Sequence, residues 1–118
     1  MKLLTIVIKP SRSDGVRRAL SSIGTGGATI ISVQGFGTQK GHTGTYRGAR
    51  YEVDTKPKTM FQVACKDDEV ETIIKAVREV ANTGEIGDGK IFVTELNDVV
   101  RIRTGETGED AIKDNNNE

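Results

Sequence analysis

The fold is decided by residues 60–81, which read MFQVACKDDEVETIIKAVREVA. In the first six positions apolar side chains alternate with others, and a period of two predicts a half-buried strand over 60–65. From residue 67 the apolar positions are spaced three and four apart, as on one face of a helix. These positions are Val70, Ile73, Ile74, Val77 and Val80. The stretch therefore predicts a strand followed by a helix over 67–81.

The same order of elements is predicted near the start of the chain. Residues 3–9 read LLTIVIK, a β-branched run before a proline that is typical of a strand. A helix follows, because apolar residues recur at helical spacing, Ser11 or Ser13 can cap its start, and Gly24 can end it. A second strand is predicted over 28–33.

A fourth strand is predicted over 90–96, so that the order is βαβ followed by βαβ. Right-handed crossovers then leave both helices on one face of a four-stranded antiparallel sheet. This is the α+β ferredoxin-like sandwich, and one domain over 1–112 accounts for it. A short extended segment is expected over 99–103, and the polar residues 113–118 are expected to form a disordered tail.

Composition limits the classes of partner. In the 118 residues, 17 basic side chains balance 17 acidic ones, which argues against a general attraction to nucleic acid. No apolar run approaches the roughly 20 residues that span a bilayer, so direct membrane insertion is not expected. Cys65 is the only cysteine and is expected to be buried as a small apolar side chain. We therefore expect a cytoplasmic protein.

The connection over residues 36–58 is longer than compact domains usually carry without a function. Two acidic side chains and the aromatic Tyr46 and Tyr51 lie in it, together with more numerous basic residues. The basic residues are Lys40, Arg47, Arg50, Lys56 and Lys58. We expect this long loop to be a contact surface for another protein, and a solvated linker is the alternative.

A glycine-rich turn is predicted over residues 84–90, which read GEIGDGK. They satisfy the phosphate-binding pattern G-x-x-x-x-G-K, but Ile91 replaces the Ser or Thr that binds magnesium in P-loop enzymes. The residues after Lys90 are strand-like rather than helical, so this is not a P-loop. We interpret it as a flexible backbone that can surround an anion, followed by the Lys90 ammonium. A bare charged turn is the alternative.

Two arginines extend this interpretation. Arg101 and Arg103 flank Ile102, and in an extended segment residues two apart project to the same side. Both guanidiniums could then face one polyphosphate while Ile102 packs inward. A surface ion pair is the alternative.

Hydrolytic machinery is not evident. His42 is the only histidine, and no metalloprotease motif or Ser/His/Asp set is apparent. The carboxylates of Glu85 and Asp88 are expected to shape the turn rather than to bind metal. A nucleotide that is held without activation of water acts as a signal, because its binding energy can order a neighbouring loop.

Three separated strings carry a resemblance to a known family. They are GFGTQKGHTGTYRGARYEVD at 35–54, TGEIGDGKIFV at 83–93 and RIRTGETGEDAI at 101–112. In order and spacing they resemble the PII nitrogen-regulatory signal-transduction proteins, and the similarity covers about residues 1–112.

The resemblance implies a homotrimer that binds ATP or ADP in clefts between subunits. It implies that the phosphates contact Gly87, Asp88, Gly89, Lys90, Arg101 and Arg103. It also implies that Gly35, Phe36 and Gly37 line the approach to the long loop. The protein is then a regulator and not an enzyme.

The effector site is likewise implied by the resemblance. Gln39 would help to coordinate Mg²⁺ on bound ATP, and the metal would chelate 2-oxoglutarate. Lys58 would pair with a carboxylate of that effector, while the backbone at Lys40 and Gly41 surrounds it. ADP cannot complete this site because it lacks the third phosphate.

The resemblance also implies targets such as an ammonium transporter or an enzyme of nitrogen metabolism, and Tyr51 as a candidate for uridylylation.

Three other functions are weighed against it. An RNA-recognition module shares the element order, but only Phe36 lies where a base-stacking aromatic is needed, since Phe61 and Phe92 are assigned to the core. A nucleotide hydrolase or kinase rests on residues 84–90 alone. A structural trimer would not bind nucleotide.

Overall fold

The computed structural model describes residues 1–37 and 55–113. The strands are β1 (Lys2–Ile8), β2 (Thr29–Gly35), β3 (Lys56–Cys65) and β4 (Gly89–Glu95). The helices are α1 (Ser13–Ser22), α2 (Val70–Ala81) and the short α3 (Glu109–Ile112). The predictions for Gln39, Lys40, Gly41, Tyr51 and residues 114–118 lie outside the described residues.

The strands form one antiparallel sheet in the order β2-β3-β1-β4. In the register, Ile6 of the central strand β1 lies opposite Phe61 on one side and Ile91 on the other. The predicted ferredoxin-like fold is therefore confirmed. β3 begins at Lys56, so that Lys56 and Lys58 belong to a strand and not to the predicted loop.

The hydrophobic core lies between the sheet and the two long helices. It contains Leu4, Ile6, Ile8, Val16, Leu20, Phe61, Val63, Cys65, Ile73, Val77 and Ala81. The alternation along β1 and β3 explains the strand contribution, because every second side chain of a strand points to the same face. Cys65 is buried as expected, and burial raises the pKa of its thiol.

The opposite, open face of the sheet carries Leu3, Val7, Ile31, Met60 and Phe92. Phe92 lies opposite Thr5 and is 50% exposed, so its assignment to the core was wrong. The reason is the register of β4. Ile91 packs against the core, and the next residue of a strand must point away from it.

The helix starts differ from the predicted caps. Neither Ser11 nor Ser13 caps α1; a 3-10 turn over Pro10–Arg12 precedes the helix, and the Ser13 hydroxyl donates to Thr59 Oγ1 at 2.8 Å. Gly24 does end the helix region, with a φ of 81°. Gly15 brings the helices together, because a Cβ there would lie 2.5 Å from Val80 Cγ1.

The C-terminal segment is not extended as predicted over 99–103. Its chain reverses instead, since the Arg101 N–H donates to the Glu106 carbonyl at 2.9 Å and the Gly105 N–H donates to the Arg101 carbonyl at 2.8 Å. The positive φ of Gly105, 77°, permits the reversal. Ile102 is at its tip and 99% exposed, so it does not pack inward.

No helix within residues 1–37 and 55–113 has the length and apolar content to cross a membrane.

Candidate functional site

The glycine turn between α2 and β4 is closed by the carboxylate of Asp88. Asp88 Oδ2 accepts the backbone N–H of Thr83 at 2.7 Å and that of Gly84 at 3.0 Å. Asp88 Oδ1 accepts the Thr83 hydroxyl at 2.5 Å. These bonds, first of all that of the Thr83 hydroxyl, hold the pKa of Asp88 well below its usual range. Asp88 therefore shapes the turn, as expected from the sequence.

Glycine is required at the end of this turn. Gly87 and Gly89 have φ angles of 101° and 106°, which other residues rarely adopt. A Cβ at Gly89 would lie only 1.8 Å from the carbonyl oxygen of Val7 in the neighbouring strand. The backbone of the turn thus passes against β1 as closely as only glycine permits.

Two lysines from other parts of the fold meet at the turn. Lys58 Nζ, from β3, donates to the Gly87 carbonyl at 2.7 Å. Lys9 follows β1 in the chain, and its Nζ lies 3.3 Å from each of Thr83 Oγ1, Glu85 Oε1 and Asp88 Oδ1. Gly87 lies close to both side chains, because a Cβ there would be 3.7 Å from Lys9 Cε and 3.8 Å from Lys58 Nζ.

Lys90 adds a third ammonium directly after the turn. Its side chain is exposed, and it stands opposite Val7 in the register of β1 and β4. Lys9, Lys58 and Lys90 outnumber the two carboxylates of the turn, so the turn carries a local excess of positive charge in an otherwise neutral chain. An anion would be attracted here without any overall basic charge.

An open groove of about 380 Å³ borders the end of the turn. It is lined by Ile8, Ile74, Val77, Arg78, Ala81, Asn82, Asp88, Gly89, Lys90 and Ile91. The groove is apolar where α2 faces the sheet and charged at Arg78, Asp88 and Lys90. It places an apolar surface directly beside the cations of the turn.

The residues predicted to line the approach to the long loop are at the end of β2. Gly35 pairs with Lys56, and a Cβ at Gly35 would lie 3.5 Å from Lys58 Cγ. The end of β2 therefore packs against the stem of the lysine that contacts Gly87. Phe36 is largely exposed beside it, and Gly37 is the last described residue before the loop.

The structure does not give the two arginines the shared orientation predicted for them. The Arg101 guanidinium is buried: its Nη2 donates to the carbonyls of Ala111 and Lys113 at 3.1 and 2.9 Å, and its Nη1 pairs with Glu106. Arg103 is exposed and lies in the turn of the reversal, next to Ile102. In this chain Arg101 anchors α3 to the C-terminal turn.

Two residues of the site were missed by the sequence analysis. Thr83 accompanies Asp88 in closing the turn, and a threonine five residues before an aspartate in a glycine-rich stretch is a signal that could have been used. Lys9 reaches the same turn from the end of β1. No local pattern identifies it, because its contact depends on how β1 pairs with β4.

Comparisons with known proteins agree with this architecture. A family model described as nitrogen regulatory protein P-II matches residues 1–106. The nitrogen regulatory protein GlnK of Escherichia coli strain K12 is 54% identical over 112 residues, which cover 95% of this chain and 100% of that protein. The nitrogen regulatory protein P-II of Azospirillum brasilense is 53% identical over 112 residues, with the same coverage.

A solved structure extends the likeness to three dimensions. The crystal structure of Arabidopsis thaliana PII bound to citrate superposes with a TM-score of 0.77 at 38% sequence identity. The match covers 95% of this chain and 89% of that one. The RNA-recognition alternative is set aside, since the family model and these relatives are regulatory proteins. The chain belongs to the P-II family of nitrogen regulatory proteins, and it is a signal-transduction regulator rather than an enzyme.

Proposed function

We propose that this regulator binds ATP or ADP at the glycine turn and passes the state of that site to the long loop, which controls a target of nitrogen metabolism. One contact carries the proposal. The 2.7 Å bond from Lys58 Nζ to the Gly87 carbonyl joins the turn to the beginning of β3, where the long loop ends. A ligand that changes this contact changes the base of the loop.

The turn has the properties that phosphate binding requires. Its positive-φ glycines leave the backbone unobstructed by side chains, and the exposed Lys90 follows them directly in the chain. The proposed phosphate contacts are Gly87, Asp88, Gly89, Lys90, Arg101 and Arg103. Of these, Lys90 and Arg103 are exposed cations that are available to a ligand, whereas Arg101 must exchange contacts to reach one.

The response to 2-oxoglutarate is assigned to Lys58. Its ammonium would pair with a carboxylate of the effector, and this would compete with its bond to Gly87. Within residues 1–37 and 55–113 no group of three His, Cys, Asp or Glu side chains could hold a metal ion. As the family resemblance implies, Mg²⁺ is proposed to arrive with ATP and to be held by its phosphates and Gln39, beside the backbone at Lys40 and Gly41.

A carboxylate ligand fits the family. The Arabidopsis thaliana PII protein was crystallised with citrate, a small carboxylic acid, bound to it. The citrate of that relative supports a small carboxylic acid as the effector of this chain. The part that Lys58 plays in binding it rests on the position of its ammonium at the turn.

A homotrimer is proposed from the open face of the sheet. Leu3, Val7 and Met60 are half-buried there, while Ile31 and Phe92 are exposed by a third to a half. Copies of the chain that meet on this apolar face would bury it. Clefts between subunits then allow Arg103 of one copy to approach the turn of another.

The long loop supplies the output of the proposal. Its basic residues favour an acidic docking surface, such as one on an ammonium transporter or a biosynthetic enzyme. Tyr51 is proposed as its modification site. We place the regulator in the cytoplasm, where the adenine nucleotides and 2-oxoglutarate that it would sense are formed.

Isothermal titration of the full chain with ATP and ADP, each with and without Mg²⁺ and 2-oxoglutarate, tests the proposal. Lys90→Ala and Arg103→Ala are each expected to lower the affinity for both nucleotides by about 10- to 100-fold. This is the effect of losing one hydrogen bond to a charged group. Lys58→Ala and Gln39→Ala are expected to leave the affinity for ADP unchanged and to abolish the response to 2-oxoglutarate.

Lys75→Ala serves as the control, because Lys75 is an exposed lysine of α2 away from the turn. It is expected to bind both nucleotides like the unaltered chain. An unaltered chain that binds neither nucleotide would end the proposal. Identical behaviour of the two pairs of variants would contradict the division of roles between them.

A further inference from the structure

Lys9 has a position that neither the family resemblance nor the proposed ligand contacts explain. Its ammonium lies 3.3 Å from an oxygen of Thr83, just before the glycine turn, and 3.3 Å from an oxygen of Asp88, near the end of the turn. Glu85, between them, provides a third oxygen at the same distance. One side chain therefore connects both ends of the turn.

The backbone holds Lys9 in place for this contact. It lies between the last residue of β1 and Pro10, and its carbonyl accepts the Arg12 N–H at 2.9 Å. Its side chain is 27% exposed and passes beside Gly87 on the way to the three oxygens. A lysine with a fixed backbone and a largely covered stem has few other places for its ammonium.

The surroundings of Lys9 differ from those of Lys90. The Lys9 ammonium faces two carboxylates and a hydroxyl, whereas the Lys90 side chain is exposed. An ammonium whose neighbours are already anionic has little charge left for an incoming phosphate. Its contribution is to compensate the Asp88 carboxylate, which accepts the bonds that close the turn.

We infer that Lys9 is the positioning residue of the glycine turn: it holds Thr83 and Asp88 together so that the turn is already formed when a nucleotide arrives. The effect on nucleotide affinity rests on the proposed function, whereas the effect on the turn does not. Preorganisation of this kind acts on ATP and ADP alike, because it does not depend on the number of phosphates.

The chain contains a matched control for this lysine. Lys2 lies at the other end of β1, has the same 27% exposure, and pairs with Glu95 and Asp67. Lys2→Met removes one positive charge, as Lys9→Met does, but at the opposite end of β1. Lys9→Arg keeps the charge at the turn and is expected to restore whatever Lys9→Met removes.

Amide hydrogen exchange of the full chain, followed by NMR, measures the turn directly. In Lys9→Met we expect the Thr83 and Gly84 amides to exchange roughly fivefold faster, the factor for one lost hydrogen bond of modest strength. The core amide of Phe61 is expected to stay protected. Lys9→Arg and Lys2→Met should leave the Thr83 and Gly84 amides unchanged, and unchanged exchange in Lys9→Met would overturn the inference.

A measurement on the unaltered chain keeps the inference testable if Lys9→Met does not fold. The ammonium protons of Lys9 should exchange with water more slowly than those of the exposed Lys90, because three oxygens surround them. Equal exchange of the two ammonium groups would also overturn the inference.

Nucleotide titration separates this inference from the proposed function. Lys9→Met is expected to lower the affinities for ATP and ADP by the same factor, about fivefold. Lys2→Met is expected to bind both nucleotides like the unaltered chain. A chain that binds no nucleotide but shows the expected amide exchange would refute the proposed function and support the role of Lys9. Normal nucleotide binding by Lys9→Met, with unchanged amide exchange, would refute the role of Lys9 and support the proposed function.

Discussion

Replacement of Gly89 by alanine measures how closely the glycine turn approaches the sheet. The new Cβ would lie 1.8 Å from the carbonyl oxygen and 2.8 Å from the carbonyl carbon of Val7. Both atoms belong to the backbone of β1, which cannot move aside without disturbing its pairing with β3. The clash must therefore be relieved by separating β4 from β1.

Two terms set the expected cost of Gly89→Ala. The φ of 106° costs an alanine about 1–3 kcal/mol of backbone strain. Overpacking against fixed atoms adds about 1–3 kcal/mol more. We expect the free energy of unfolding to fall by about 3–5 kcal/mol in total, which lowers Tm by about 12–20 °C for a chain of this length.

Gly84→Ala is the matched control for this prediction. Gly84 lies in the same turn with a φ of 81°, but a Cβ there would meet no atom within 4 Å. It should therefore show the strain alone, about 1–2 kcal/mol. Urea unfolding of both variants at one chain concentration compares them. Equal losses of stability would refute the close approach of Gly89 to Val7.

Unfolding experiments can also test the contribution of Asp88 in acid and the burial of Phe61 in the core. Because the pKa of Asp88 is depressed in the folded chain, its contribution is present above the ordinary aspartate pKa, about 3.9, and is lost as the pH falls below it. The difference in unfolding free energy between the unaltered chain and Asp88→Asn should thus be constant above about pH 5 and shrink toward pH 2; a difference that does not vary with pH would contradict this. Phe61→Ala, at a fully buried position of β3, should lower the free energy of unfolding by about 3–5 kcal/mol in urea titration, and a loss below about 1 kcal/mol would contradict the placement of Phe61 in the core.

Much of the fold could be predicted because it depends on local periodicity. The helical spacing over residues 67–81 and the alternation along β3 both identify the buried face without knowledge of the rest of the chain. The 3-10 turn before α1 was not predicted, because Ser13 bonds to Thr59 of β3 and not to its own helix. A partner distant in sequence replaced the local cap.

The C-terminal segment shows where local patterns mislead. Arg101, Ile102 and Arg103 read as an extended stretch, and the glycine at 105 was not weighed against that pattern. In the fold the chain reverses there, Ile102 becomes exposed, and Arg101 turns inward to the carbonyls of Ala111 and Lys113 at the end of α3. Alternation predicts an orientation only where a neighbouring strand is present to maintain it.

The amino-acid sequence alone determined the element order, the buried stripes and the glycine turn, since each of these depends on residues close together in the chain. Only the tertiary structure decided which side chains meet at that turn. Lys9 and Thr83 are separated by 74 residues, and Lys58 and Gly87 by 29. Their contacts depend on the register of β1 with β3 and β4, and a shift of that register by one residue would point every side chain to the other face.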